Sequence, residues 1–276
     1  MPIQELTEVQ QIVQELCLMN NKFMNKVFEN NIPAAELLLR IILKNDKIKV
    51  KEVKVQNFIQ NLYGHSAQMD ILAQDEAGVY FNVEVQRSDE GAPAKRARFY
   101  SSLLDSNLLK AGKQYEQLPV TYVIFITEND VLQGNLPLYD IDRVIKQNGA
   151  DFGDGTHIVY VNSKVQDDTP LGKLMQDFYC KDPARMHYSE LAAKCGYLKN
   201  VKESEADMQD IIEQYAEKRA QRAAAKVERE IVIKLSAKGM SVEEIASLLD
   251  ITEAQVRELA EEVKPYAIIN CAAHTN

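Results

Sequence analysis

The sequence predicts an α/β fold with an all-helical C-terminal extension. Three observations predict it. Residues 67–88 read as two strands joined by a turn, and a basic helix and a further apolar strand follow them. Helical and strand periodicities succeed one another on both sides of that hairpin. From residue 203 onward every recognisable pattern is helical.

The hairpin organises the rest. Asp75-Glu76-Ala77-Gly78 interrupts the apolar pattern, and Gly78 is free to take positive φ. In the second strand Val79, Phe81, Val83 and Val85 alternate with Tyr80, Asn82, Glu84 and Gln86. Alternation puts the apolar set on one face and Asn82, Glu84 and Gln86 on the other. Asp70 is the one acid within the facing strand, His65 to Ala73. Pairing across the hairpin would bring the Asp70 and Glu84 carboxylates together. Two carboxylates held together repel, and keeping both ionised needs a cation. Hard oxygen ligands with room for water suit Mg²⁺. The same alternation also describes a half-exposed structural strand. Two features favour a site: the polar face carries Asn, Glu and Gln, and a basic helix follows at once.

The remaining elements follow in chain order. Residues 5–31 have amphipathic helical spacing. Pro33 suits the first turn of a helix over Ala34–Lys44. Glu36 in its first turn has two readings: favourable placement against the helix dipole, or a direct or indirect metal ligand facing the sheet. Lys47–Asn57 alternates as a strand with a slip near Glu52. A helix runs from Ala94 to about Ala111, and Gly112 stops it. Lys95, Arg96 and Arg98 crowd its first turns against the dipole's preference, which points to an anionic partner. Val120–Thr127 is a continuous apolar run suited to a central strand. Residues 148–155 read as a turn before a strand over His157–Asn162. Two short helices fill 171–199 and one long charged helix fills 203–237. Residues 239–263 then have the layout of a helix-turn-helix, with Ser241 and Thr252 as caps.

Charge excludes some functions. The chain carries a net −9, which argues against non-specific coating of nucleic acid but leaves room for a local basic groove. Residues 241–262 hold seven acids and one base, Arg257, so the tail should be repelled by DNA. Its expected role is packing or protein contact, including a homo-oligomer formed through the C-terminal helices. No run of 18 apolar residues is present, so no membrane association is expected. The N-terminus lacks an apolar signal core, and a cytoplasmic location is the expectation. Cys17, Cys180, Cys195 and Cys271 are scattered and are read as free thiols. Cys180, His187 and Cys195 match no zinc spacing.

The order helix, three strands, basic helix, strand is the αβββαβ order of the PD-(D/E)XK restriction-endonuclease-like core. The stretches SAQMDILAQDEAGVYFNVEVQ, PAKRARFYSSLLDSNLLKAGKQYEQL and TYVIFIT resemble the PD-(D/E)XK nuclease family transposases, or recombination-promoting nucleases. The resemblance covers residues 20–165. It implies a metal-dependent DNA endonuclease in which Asp70, Glu84 and the main-chain carbonyl of Val85 bind Mg²⁺, with Mn²⁺ as a substitute. Glu36 is a further ligand candidate. Gln86 stands where the motif commonly has Lys. Gln can orient a water but supplies no positive charge. Lys95 or Arg98 would supply it, and Lys95, Arg96 and Arg98 together would hold the DNA backbone. The alternative is a catalytically silent nuclease-fold scaffold. The expected organisation is a nuclease-like domain over 1–200, a connector helix over 201–237 and a small helical module over 238–276.

Overall fold

The computed structural model describes residues 3–60, 64–87 and 91–261. The chain divides into two compact units, Met1–Ile212 and Glu213–Asn276. The first is built on a six-stranded mixed sheet. Its strands are β1 (Val50–Ile59), β2 (Ala67–Asp75), β3 (Tyr80–Gln86), β4 (Thr121–Thr127), β5 (Leu138–Ile141) and β6 (Thr156–Asn162). The spatial order is β1-β2-β3-β4-β6-β5. β1, β2 and β3 pair antiparallel, β3, β4 and β6 pair parallel, and β5 returns antiparallel to β6. This is the α/β sheet with flanking helices that the sequence predicts, and helices follow it in the chain.

The hairpin forms as the turn residues dictate. Asp75 Oδ1 accepts the Val79 N–H at 2.9 Å, and Gly78 sits at φ +86. The slip expected near Glu52 is a register shift between Val50 and Glu52. The continuous apolar run of β4 occupies the sheet's interior, between β3 and β6. β5 was not expected. It is a short edge strand whose residues are all half-buried or exposed, so no buried face marks its sequence.

Helices α1 (Ile3–Gln14) and α2 (Asn21–Phe28) replace the single helix expected over 5–31. The chain breaks because Asn20 caps α2: its side chain accepts the Phe23 N–H at 3.0 Å. Helix α3 (Ile32–Leu43) has Pro33 in its first turn and puts Glu36 just beyond that turn. Ile42 and Leu43 of α3 lie beside Val79, Phe81 and Tyr122, on one face of the sheet. Helix α4 (Ala94–Leu108) covers the other face. Ala97, Tyr100, Leu103 and Leu104 pack there with Val123, Phe125 and Tyr160. β3 is therefore covered on both sides, and its polar face is not solvated: Asn82 is 0% and Glu84 1% exposed. Alternation alone does not reveal this, because it records polarity and not cover.

Helices α5 (Pro170–Tyr179) and α6 (Ser189–Lys199) fill the expected short-helix region. Two devices fix them. Asp177, fully buried, accepts the N–H groups of His187 and Tyr188 at 2.8 and 2.9 Å. Lys199, 6% exposed, donates to the carbonyls of Gln14 and Leu16 at 2.8 and 2.7 Å. An ammonium with such acceptors needs no counter-carboxylate. Helix α7 (Val201–Ala237) starts within the first unit, where Met208 and Ile211 are buried.

The second unit has its own small core. The end of α7 packs with α8 (Val242–Leu249) and α9 (Glu253–Glu261) through Val232, Ile245, Ala246 and Val256. Leu235, Met240, Val242, Leu249, Ile251 and Leu259 surround them. Ser241 and Glu244 form a capping box at 3.2 and 2.7 Å. Thr252 Oγ1 accepts the Gln255 N–H at 3.3 Å. Three apolar residues of these helices lie outside that core: Leu248 is 61%, Ile231 38% and Ile233 39% exposed. The last helix was expected to reach Val263; that end, with Cys271, lies outside the described residues. Cys17, Cys180 and Cys195 are free.

Candidate active site

The site forms where a strand ladder ends. Main-chain pairing of β2 with β3 runs from Gln74 opposite Tyr80 to Ile71 opposite Val83. The next two residues are Asp70 and Glu84. Their side chains take over the pairing. Glu84 Oε1 accepts the Asp70 N–H at 3.2 Å, and Asp70 Oδ2 accepts the Val85 N–H at 3.2 Å. Asn21 Nδ2, at the first residue of α2, approaches Asp70 Oδ2 to 3.5 Å. The two acids thus meet by strand register, as the hairpin pattern predicts.

One oxygen of each acid remains for other work. Among the described residues Asp70 Oδ1 makes no hydrogen bond, and the cation paired with Glu84 Oε2 is Arg96 Nη2 at 3.7 Å. Burial raises the pKa of both carboxyls. For Glu84 the charge of Asp70 raises it further, and Arg96 offsets part of this. Asn82 lies one turn of the pleat from Glu84 on the same face. Neither of its side-chain atoms has a hydrogen bond of ordinary geometry, although its nearness favours the charged form of Glu84. A fully buried amide without partners is costly. Two adjacent carboxylates with spare oxygens and an orphaned amide beside them are the donor set a hydrated divalent cation satisfies. The residues fit a hard metal ion.

The basic residues divide. Lys95 and Arg98 are exposed on α4. Arg96 turns inward. Its Nη2 donates to Tyr100 Oη at 2.9 Å, and its Nη1 donates to Gln86 Oε1 at 3.4 Å and to the Gly91 carbonyl. The guanidinium carbon lies 5.1 and 5.9 Å from the ring centroids of Tyr100 and Phe125. A Cβ on Gly91 would press on the end of the Gln86 side chain, so a larger residue there would make Gln86 shift. The expected grouping of Lys95, Arg96 and Arg98 on one phosphate-holding surface is corrected accordingly. The sequence does hold the signal: Arg96 and Tyr100 are four apart, hence neighbours on one helix face.

Glu36 is also corrected. Its Oε2 accepts the Val50 N–H at 2.9 Å and its Oε1 pairs with Arg40 at 2.6 Å. Val50 stands opposite Asp75, five residues along β2 from Asp70. That is roughly 17 Å at strand rise, too far to share an ion. Glu36 starts β1. Replacing it with Ala should cost about 1–2 kcal/mol in urea unfolding, since a backbone donor loses its acceptor, with Mn²⁺ affinity unchanged. A lost metal affinity in a folded variant would return Glu36 to the site.

An open cleft of about 480 Å³ adjoins the acids, lined by Asn20, Asn21, Val85, Gln86, Arg87 and Glu128. Asn20 and Asn21 are functional candidates that the single-helix expectation hid. A larger cleft, about 750 Å³, lies between Lys26–Pro33 and Glu190–Leu198. Lys26 pairs there with Glu29, and Tyr197 donates to Asp207. Among the described residues no group of three or more His, Cys, Asp or Glu side chains is placed to hold a metal, so Cys180, His187 and Cys195 do not form one.

Adjacent acids on the second and third strands of a mixed sheet, with a helix bringing a cation to them, define the PD-(D/E)XK class of nuclease folds. The family model for PD-(D/E)XK nuclease family transposases matches residues 7–170. The chain belongs to that family. No curated protein and no solved structure matches it. Nucleases of this class generally use divalent metals. No helix among the described residues is long and apolar enough to cross a membrane.

Proposed function

We propose that the chain is a Mg²⁺-dependent DNA endonuclease that promotes recombination, with Mn²⁺ able to replace Mg²⁺. The observation that carries this reading is the reciprocal clasp of Asp70 and Glu84 at the end of the β2–β3 ladder, which occupies only one oxygen of each carboxylate. Asp70, Glu84 and the Val85 carbonyl would hold the ion. Bound there, it would polarise the phosphodiester and lower the pKa of the attacking water. Asn82 and Gln86 would orient water, Gln86 through its amide nitrogen because Arg96 takes its oxygen. Lys95 and Arg98, exposed beside the site, would hold the DNA backbone. Nicking of supercoiled plasmid by purified protein with Mg²⁺, and none with EDTA, is the expected result. No cleavage under any divalent ion would favour the scaffold reading, for which Gln86 in place of Lys is the supporting feature.

Two further outcomes follow from this reading. Lys95→Gln with Arg98→Gln should lower the slope of log affinity against log salt by about 2, because each phosphate contact releases roughly one counterion. An unchanged slope would move the DNA to another surface. The acidic second unit would contact protein, a second copy of the chain included. A chain ending after Ile212 keeps the buried Met208 and Ile211, and should keep cleavage and lose self-association in analytical ultracentrifugation. Loss of DNA affinity by that folded truncation would make the tail a DNA-binding element.

A further inference from the structure

Arg96 is held in an unusual way. Its three hydrogen-bond acceptors, Tyr100 Oη, the Gly91 carbonyl and Gln86 Oε1, are all neutral. Its aromatic neighbours, Tyr100 and Phe125, are neutral too. Among the described residues its ion-pair partner, Glu84, stands 3.7 Å from Nη2, near the outer limit of an ion pair and beyond hydrogen-bond length, and the Asp70 carboxylate also feels its charge. Anchoring and charge pairing are therefore separate. The anchors survive if Glu84 turns away, and they consume none of the positive charge.

We propose that Arg96 is the exchangeable cation of this active site. In the metal-free protein it balances Glu84 whenever that carboxyl ionises; Glu84 is 1% exposed and stands beside Asp70. When Glu84 gives its Oε2 to a divalent ion, Arg96 stays on its neutral anchors. Its unspent charge then serves a non-bridging oxygen of the scissile phosphate. Arg96 thus competes with metal before substrate arrives and assists the metal afterward. The inference rests on the proposed function, since it needs Asp70 and Glu84 to bind an ion. It also accounts for Gln at position 86. A lysine there would place a second cation against Arg96, whereas Gln86 accepts from it. Gln86→Lys should therefore slow cleavage, although it restores the commoner residue of the motif.

The test separates affinity from turnover. Mn²⁺ binding is measured by calorimetry without DNA, and single-turnover cleavage is measured at saturating Mn²⁺. Arg96→Gln removes a positive charge beside the ion and should bind Mn²⁺ roughly 10-fold more tightly. The same variant should cleave roughly 100-fold more slowly, having lost an electrostatic partner of the transition state. Arg96→Lys keeps the charge and should restore wild-type Mn²⁺ affinity with part of the rate. A merely structural Arg96 would not tighten metal binding. If Arg96→Gln does not fold, Arg96→Met keeps the stem's packing on Tyr100 and Phe125 and carries the same expectations. Unchanged or weaker Mn²⁺ binding, or wild-type cleavage at saturating metal, overturns the proposal. Wild-type protein that binds no Mn²⁺ instead overturns the metal site itself, and this inference with it.

Discussion

Glu84→Gln and Asp70→Asn should each reduce Mg²⁺-dependent plasmid cleavage by roughly 1,000-fold or more, with the fold retained. The amide variants are the appropriate ones. Each carboxylate has two jobs: it would bind metal, and it closes the ladder by accepting a main-chain N–H. Alanine removes both functions and strands a buried donor, at a cost of about 1–3 kcal/mol per orphaned group. Asn and Gln keep a carbonyl oxygen for the N–H while losing the negative charge that holds a cation. The expected outcome is inactive protein with a near-native melting temperature. Cleavage within a few-fold of wild type in either amide variant would place the activity elsewhere, and a contaminating nuclease would be the first suspect.

Metal-free wild-type protein should lose stability as the pH rises, and divalent metal should return it. The sign follows from burial. Asp70 and Glu84 both have folded-state pKa values raised above their ordinary ones, Glu84 by burial and by the Asp70 charge. A raised carboxyl favours the folded state while protonated. That contribution is full below about pH 4, the unfolded range, and is lost as the pH climbs through the raised folded values. Between pH 6 and 9 the melting temperature of metal-free protein should fall by roughly 5 °C or more, given about 2–4 °C per kcal/mol for a domain of this size. Glu84→Gln cannot ionise there and should flatten most of that slope. Millimolar Mn²⁺ should raise the wild-type melting temperature most at high pH and leave Glu84→Gln nearly unmoved. A flat wild-type profile without metal would mean that the pair is not strained by its own charge.

Sequence and structure agree where a single periodicity decides. The hairpin, its acids and the apolar β4 follow from alternation and one turn, and register then forces Asp70 opposite Glu84. The disagreements have particular causes. Residues 5–31 share one amphipathic stripe, but Asn20 offers a cap that splits it and thereby brings Asn21 to the acids. β5 is too short and too exposed to carry a pattern. Glu36 has two readings from sequence, dipole placement or ligand, and neither foresees that Arg40, four residues on, and the start of β1 claim it. Arg96 is one of three basic residues in a row of four, and only the tertiary placement of Tyr100, Gly91 and Gln86 distinguishes it. Composition marks α4 as basic. It does not tell which base faces inward.

The most direct measurement is an anomalous-difference map from crystals soaked in Mn²⁺. The proposed function requires a single strong peak at the carboxylates of Asp70 and Glu84, which would hold the ion. Arg96 should have left Glu84 while still bonded to Tyr100. A map with no peak at Asp70 and Glu84, or with manganese bound at another surface, would contradict the account at its centre.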